Sequence, residues 1–187
     1  MWLGRLILLI TLLTCFCPVH GQKQIRQPVQ KNLKGQTFSA RVIRIIDGDS
    51  MEVLYEGQPL KIRLSHIDSP ELKKSQPYGK AAKKALSDLC YGQYVTVQVE
   101  KYDRYGRAIA IIVNTNKQIV NQQMIIQGMA WHFKRYSKDP LYARLEREAR
   151  KSRAGLWKDP DAVAPWEWRS VRRYSSGRIR SYSVRFN

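Results

Sequence analysis

Residues 38–65 read FSARVIRIIDGDSMEVLYEGQPLKIRLS, and the spacing of their apolar positions sets the architecture. Val42, Ile43, Ile45 and Ile46 make a first β-branched segment, and Met51, Val53 and Tyr55 alternate in a second. In a third, Ile62 and Leu64 alternate with Lys61, Arg63 and Ser65. A period of two marks strands that turn one face toward a core. Asp47-Gly48 and Glu56-Gly57-Gln58-Pro59 supply turn chemistry between the segments. The stretch is expected to be a three-stranded meander.

The pattern continues outward. Ala82, Ala85, Leu86 and Leu89 share one face of a helix expected over about 78–90, closed by Gly92. Tyr94, Val95, Val97 and Val99 mark a fourth strand, and residues 108–113 a fifth. A short helix over about 120–127 should end at Gly128, a residue suited to the left-handed cap. A last helix has Asp139 as N-cap, Pro140 in its first turn and Gly155 as terminator, with Leu141, Leu145 and Ala149 as its buried stripe. Five strands with intervening and trailing helices fit an α+β fold, a five-stranded OB-type β-barrel with about three α-helices. Pattern alone leaves another small α+β arrangement equally open, and no internal repeat is present.

The flanks differ from this middle. Arg5 is the only charged residue before Lys23, and residues 6–16 are apolar, a run shorter than the roughly 20 residues of a membrane span. Residues 1–21 are therefore expected to be a signal peptide, with an uncleaved anchor or lipid attachment at Cys15 as the alternatives. Its removal would take Cys15 and Cys17 away and leave Cys90 alone, with no internal disulfide. The product is expected to be secreted or periplasmic, with no membrane span, and a monomer. Residues 22–36, polar and rich in Gln and Lys, read as a flexible leader, and 37–159 as the folded domain. Residues 160–187 read as a basic tail containing Trp166, Trp168 and several arginines with interleaved tyrosines. It either grips nucleic acid or is simply solvated. Both tryptophans are expected to pack on the domain. In all, 33 Lys+Arg against 15 Asp+Glu give a formal charge of +18, which points to a polyanionic partner.

Within the domain, acids and arginines gather in short motifs: Asp47-Gly48-Asp49, Arg63, Asp68-Ser69-Pro70-Glu71 and Asp103-Arg104-Tyr105-Gly106-Arg107. Carboxylates suit a hard divalent cation such as Ca²⁺. Arginine suits phosphate, because its planar guanidinium is always charged and bonds two oxygens at once. Both sets together in a basic chain point to hydrolysis of nucleic acid. The histidines offer no rival centre. His20 is in the signal, and His66 and His132 lack the paired spacing of a zinc site. His66 is expected as an ordinary strand residue and Cys90 as core.

Three of these stretches, Ile46-Asp47-Gly48-Asp49-Ser50, the run from Ile62 through Arg63 and Asp68 to Glu71, and Asp103-Arg104-Tyr105-Gly106-Arg107, resemble the staphylococcal nuclease family in order and spacing. The resemblance covers about residues 38–157 and implies the OB-type barrel. It implies Ca²⁺ held by Asp49, Asp68 and the backbone carbonyl of Ser69, with Asp47 behind them or on a water of the ion. It implies Arg63 and Arg107 as phosphate-binding catalytic arginines, and Glu71 as the group that deprotonates or orients the attacking water. Arg104, Tyr105 and Tyr136 match substrate-contact positions. Lys134 stands where the family has another pocket tyrosine; it can bind a terminal phosphate but cannot stack in the same way. The implied reaction is Ca²⁺-dependent hydrolysis of DNA and RNA with little sequence preference, leaving 3′-phosphate ends. Two other readings are a non-catalytic OB module that binds nucleic acid, and a basic surface protein that binds anionic lipid or cell wall.

Overall fold

The computed structural model describes residues 32–73 and 75–175. The expected signal peptide, most of the leader and residues 176–187 lie outside the described residues. Strands β1 (Thr37–Ile45), β2 (Ser50–Tyr55) and β3 (Gln58–Leu64) form the meander. Strands β5 (Tyr94–Tyr102) and β6 (Ala108–Val113) complete a closed barrel in the order β1-β2-β3-β6-β5. Closure depends on one parallel pairing, in which Ile62, Arg63 and Leu64 of β3 lie opposite Ala108, Ile109 and Ala110 of β6. A short strand β4 (Ile67–Asp68) pairs outside the barrel with β7 (Trp131–His132).

Alternation explains the core. Val42, Met51, Val53, Ile62, Leu64, Val97 and Ile112 all point inward and are buried. Helix α1 (Gly79–Cys90) adds Ala82, Leu86 and Cys90 to the same cluster, and α2 (Val120–Ile126) adds Val120, Met124 and Ile125. Burial pushes the Cys90 thiol up to about 12, and its Sγ donates to the Leu86 carbonyl at 3.2 Å. Cys90 is thus an inert core residue. Among the described residues no helix is long and apolar enough to cross a membrane.

Helix α3 (Pro140–Lys151) starts as expected, with the Asp139 carboxylate accepting from Leu141 N at 2.8 Å. Its buried face is Tyr142, Glu146 and Ala149 rather than the expected Leu141, Leu145 and Ala149. The helix is rotated because Tyr142 stacks on His66, 4.6 Å between ring centroids. His66 is not in a strand; it occupies the turn between β3 and β4 with φ 68°. The largest departure is at the C-terminal end, where residues beyond 159 are not merely appended. After a 3₁₀ turn (Gly155–Lys158), Ala164 is buried and a fourth helix, α4 (Pro165–Ser175), follows. Trp166 stacks on Phe133 with centroids 5.5 Å apart and planes 7° from parallel. The expected packing of Trp166 on the domain is therefore observed.

Candidate active site

The β1–β2 turn builds one wall. Asp47 Oδ1 accepts from Asp49 N at 3.1 Å, and Asp47 N and Ile46 N both donate to the Ser50 carbonyl. Side-chain bonds of this kind compete with a regular ladder and hold tight turns. Gly48 is required by close approach, since a Cβ there would come within 2.6 Å of Ala82 Cβ and 2.8 Å of Ser69 Oγ. The turn is thereby pressed against α1 and against the segment that carries Ser69.

Register then brings Arg63 to the acids. Ser50 lies opposite Arg63 across the β2–β3 ladder, which sets Arg63 beside Asp49. Its Nη1 donates to Asp49 Oδ1 and its Nη2 to Asp68 Oδ1 at 2.7 Å. Asp49 Oδ2 accepts from Ser69 N at 2.8 Å. Asp49 thus joins Arg63, Asp68 and Ser69, 14 to 20 residues further along the chain, in one cluster. Glu71 follows at its edge, fixed through Gln76, whose Oε1 accepts from Glu71 N at 3.0 Å while its own N donates to the Glu71 carbonyl at 3.0 Å.

The Asp103–Arg107 loop supplies a second arginine. Asp103 Oδ1 accepts from both Tyr105 N and Arg107 N at 2.9 Å, and Arg107 Nε donates to Asp103 Oδ2 at 2.7 Å. Burial works against ionisation of Asp103, but these bonds outweigh it and its pKa is lowered. Arg107 directly precedes β6, where Ala108 lies opposite Ile62, so it stands at the same rim as Arg63. Its Nη1 reaches Ser50 Oγ at 3.5 Å, the limit of a contact. Tyr105 and Tyr136 are 68% and 64% exposed. Arg104 lies over the Tyr105 ring, 4.8 Å from its centroid. Lys134 is drawn elsewhere: its Nζ pairs with the buried Glu146 at 3.0 Å.

One member of the cluster was not anticipated. Arg169 of α4 donates to Asp68 Oδ2 at 2.7 Å, to Asp68 Oδ1 at 3.3 Å and to Glu71 Oε1 at 2.6 Å. The only signal for it in the sequence is its place three residues after Trp166, one helical turn on, and that becomes informative only once Trp166 is seen to dock. The two histidines also meet. His66 Nδ1 and His132 Nε2 lie 2.8 and 2.9 Å from Ser137 Oγ, a polar link between the β3–β4 turn and the Tyr136 segment.

Among the described residues no three Asp, Glu, His or Cys side chains already form a metal cage. The donor chemistry nonetheless fits a hard divalent cation. Asp47, Asp49, Asp68 and Glu71 offer only oxygens, and within this group the cationic partners are Arg63 and Arg169. Burial first, and then the charge of Asp49, push the Asp47 carboxyl up to about 7. Burial also raises Asp68 despite its two arginines, whereas Asp49 is lowered because Arg63 and the Ser69 N–H outweigh its burial. Four carboxyls against two guanidiniums leave this group with more acids than cations, the balance that a bound cation would offset.

Comparison with known proteins identifies the family. Residues 61–159 match the model of the staphylococcal nuclease homologue family, a span that includes Arg63, Asp68, Glu71 and Arg107. The chain is 41% identical over 155 residues to Protein ParB of Escherichia coli, covering 78% of this chain and 84% of that one. It is 38% identical over 168 residues to an uncharacterized endonuclease of Haemophilus influenzae, covering 89% and 86%. With a micrococcal nuclease of Shigella flexneri the identity is 39% over 142 residues, covering 71% and 80%. The matched family is generally metal-dependent, in keeping with an all-oxygen acid cluster beside arginines. The chain belongs to the staphylococcal nuclease family and is a hydrolytic nuclease.

Proposed function

We propose that this protein is a Ca²⁺-dependent phosphodiesterase, exported to the periplasm or the medium, that cleaves DNA and RNA with little sequence preference and leaves 3′-phosphate ends. The observation that carries the reading is the single Arg63 guanidinium shared by Asp49 and Asp68, with Glu71 at the edge of the same cluster. Asp49, Asp68 and the Ser69 carbonyl would hold the ion, with Asp47 behind them. When bound, Ca²⁺ supplies positive charge at the phosphate and order to nearby water.

The chain's own residues do the rest. Arg63 spends two of its five N–H donors on the acids, which fixes the plane it presents to a phosphate. Arg107 is fixed by Asp103. Both add stabilisation as charge accumulates on the phosphoryl oxygens in the transition state. Glu71 accepts a proton from the attacking water or orients it. The water oxygen bonds to phosphorus, the bond to the 5′-oxygen breaks, and that oxygen leaves with a proton as a 5′-hydroxyl. Tyr105, Arg104 and Tyr136 give the nucleotide faces to rest on, while Lys134 serves a terminal phosphate only by leaving Glu146. Export rests on the apolar run at 6–16, and the formal charge of +18 draws either polynucleotide to a monomer.

The test incubates plasmid DNA and RNA with the purified mature chain in Ca²⁺ or excess EGTA, and identifies the product ends. Cleavage should stop in EGTA and the ends should carry 3′-phosphate. Full activity in EGTA, or 5′-phosphate products, would overturn the assignment.

A further inference from the structure

Arg169 is the member of the cluster that α4 supplies, and the reaction above does not use it. Its guanidinium reaches both oxygens of Asp68 and one of Glu71. These are the oxygens that the proposed reaction needs for the ion and for the attacking water. Arg63 already serves Asp68 Oδ1, so Arg169 completes the coverage of that carboxylate. A cation approaching Asp68 meets a like charge already seated between Asp68 and Glu71, and the two compete for the same lone pairs.

Arg169 is not a loose surface side chain. Its side chain is 28% exposed, and Trp166, one turn earlier in α4, is stacked on Phe133. The segment leading into α4 is tied to the same site, because Gln76 bonds Glu71 N through Oε1 and donates to the Val163 carbonyl at 2.7 Å through Nε2. Phe133 in turn meets Tyr136 edge-on, 4.8 Å between centroids. The helix that delivers Arg169 therefore also covers one side of the aromatic wall beside Tyr136. Residue 169 lies beyond the span 61–159 that matches the family model.

We propose that Arg169 is an internal counter-cation: it neutralises Asp68 and Glu71 until a divalent cation takes Asp68, and loading of that cation releases Arg169 and loosens α4. The inference rests on the reading of Asp68 as a metal ligand. Cation affinity is then set by a competition, weakened by the factor that favours the Arg169-bound arrangement. By linkage, the cation weakens the docking of α4 as much as α4 weakens the cation. Release of the helix would also uncover Phe133 beside Tyr136, joining ion loading to opening of the nucleotide side.

The experiment titrates the full mature chain and its Arg169→Gln variant with Ca²⁺ by calorimetry, and follows amide exchange across α4. The glutamine variant should bind Ca²⁺ roughly ten- to hundredfold more tightly, the worth of one lost charge-assisted hydrogen bond. Its melting temperature in EGTA should fall, since Asp68 and Glu71 then lack their counter-charge. In the wild type, saturating Ca²⁺ should speed exchange across α4. Trp166→Ala loosens the helix without altering any charge, and should tighten Ca²⁺ by a smaller factor even if the glutamine variant folds poorly. Unchanged or weaker Ca²⁺ binding in both variants, with normal binding by the wild type, overturns the counter-cation role and leaves the metal reading standing. No Ca²⁺ binding by any of the three chains overturns both.

Discussion

The barrel rim and helix α4 both deliver an arginine to Asp68, by different physical means. Arg63 arrives through strand register: its backbone is fixed on one side by Ser50 of β2 and on the other by Ile109 of β6. Arg169 arrives through docking, since α4 has no strand partner and is held by the Trp166–Phe133 stack and the Gln76–Val163 bond just ahead of it. A ladder position cannot move without breaking several backbone bonds at once, whereas a docked helix yields when one contact is lost. The rim is suited to groups that must stay in place through a reaction. The helix is suited to a group that comes and goes.

The largest effect should come from breaking the rim. Arg63→Ala leaves Asp49 and Asp68 buried without their shared partner, so stability should fall by about 3–5 kcal/mol. Turnover should drop about 10²–10³-fold, with Glu71→Ala comparable in turnover and far milder in stability. Denaturant melts together with turnover and binding of an uncleavable oligonucleotide separate these effects. Near wild-type turnover in both variants would remove the site from the rim.

Trp166→Ala should be intermediate, costing about 1–2 kcal/mol from the lost stack and its burial. The loss should concentrate in α4, read as faster amide exchange there with the barrel strands still protected. Exchange rising equally in barrel and helix would show that the two regions are one cooperative unit.

A smaller effect should follow removal of residues 176–187, which leaves α4 whole. KM on long DNA at low salt should rise about three- to tenfold, the gap closing as salt increases, because those arginines act by neutralising phosphates. The value of kcat should hold within about twofold. A cut at Ser170 is the wrong test of the tail, since it severs α4 directly after Arg169. A large kcat loss on short substrates in the 176–187 deletion would place the tail in the chemistry.

The smallest effect belongs to Asp103→Asn, about 1 kcal/mol or less for a partly exposed pair. The folded-state pKa of Asp103 is lowered, so its contribution is present above about pH 4 and is lost as pH falls through the folded value. The stability gap between wild type and variant should therefore close in acid. A gap that does not narrow at all as the pH falls below about 4 would assign the effect to geometry rather than charge.

Most of the rim was legible in the chain. Alternation in 38–65 places Met51, Val53, Ile62 and Leu64 inward, and the turn residues Asp47-Gly48 mark where the acids sit. On α3, Ala149 is buried as expected, but Tyr142 and Glu146 take the buried places expected for Leu141 and Leu145, because a helical face is selected by what lies opposite, and here that includes the His66 ring. Lys134 was read as a ligand group; the buried Glu146 that holds it lies twelve residues away, with nothing in the local pattern to pair them. His66 and His132 look isolated in sequence, yet Ser137 joins them.

By itself the sequence determined the five barrel strands and the acid and arginine motifs that carry the family resemblance, because period-two burial and turn chemistry act over a few residues. The closing β3–β6 pairing and the short β4–β7 pair came from the structure. Only the tertiary structure decided that Asp49 and Asp68 share one guanidinium and that Arg169 covers Asp68 and Glu71. Those contacts span 14, 5, 101 and 98 residues for Arg63–Asp49, Arg63–Asp68, Arg169–Asp68 and Arg169–Glu71. The shorter pair follows from strand register, which the local pattern largely encodes. The longer pair depends on which apolar surface a tryptophan finds to bury itself against, a property of the assembled barrel and not of any stretch of chain.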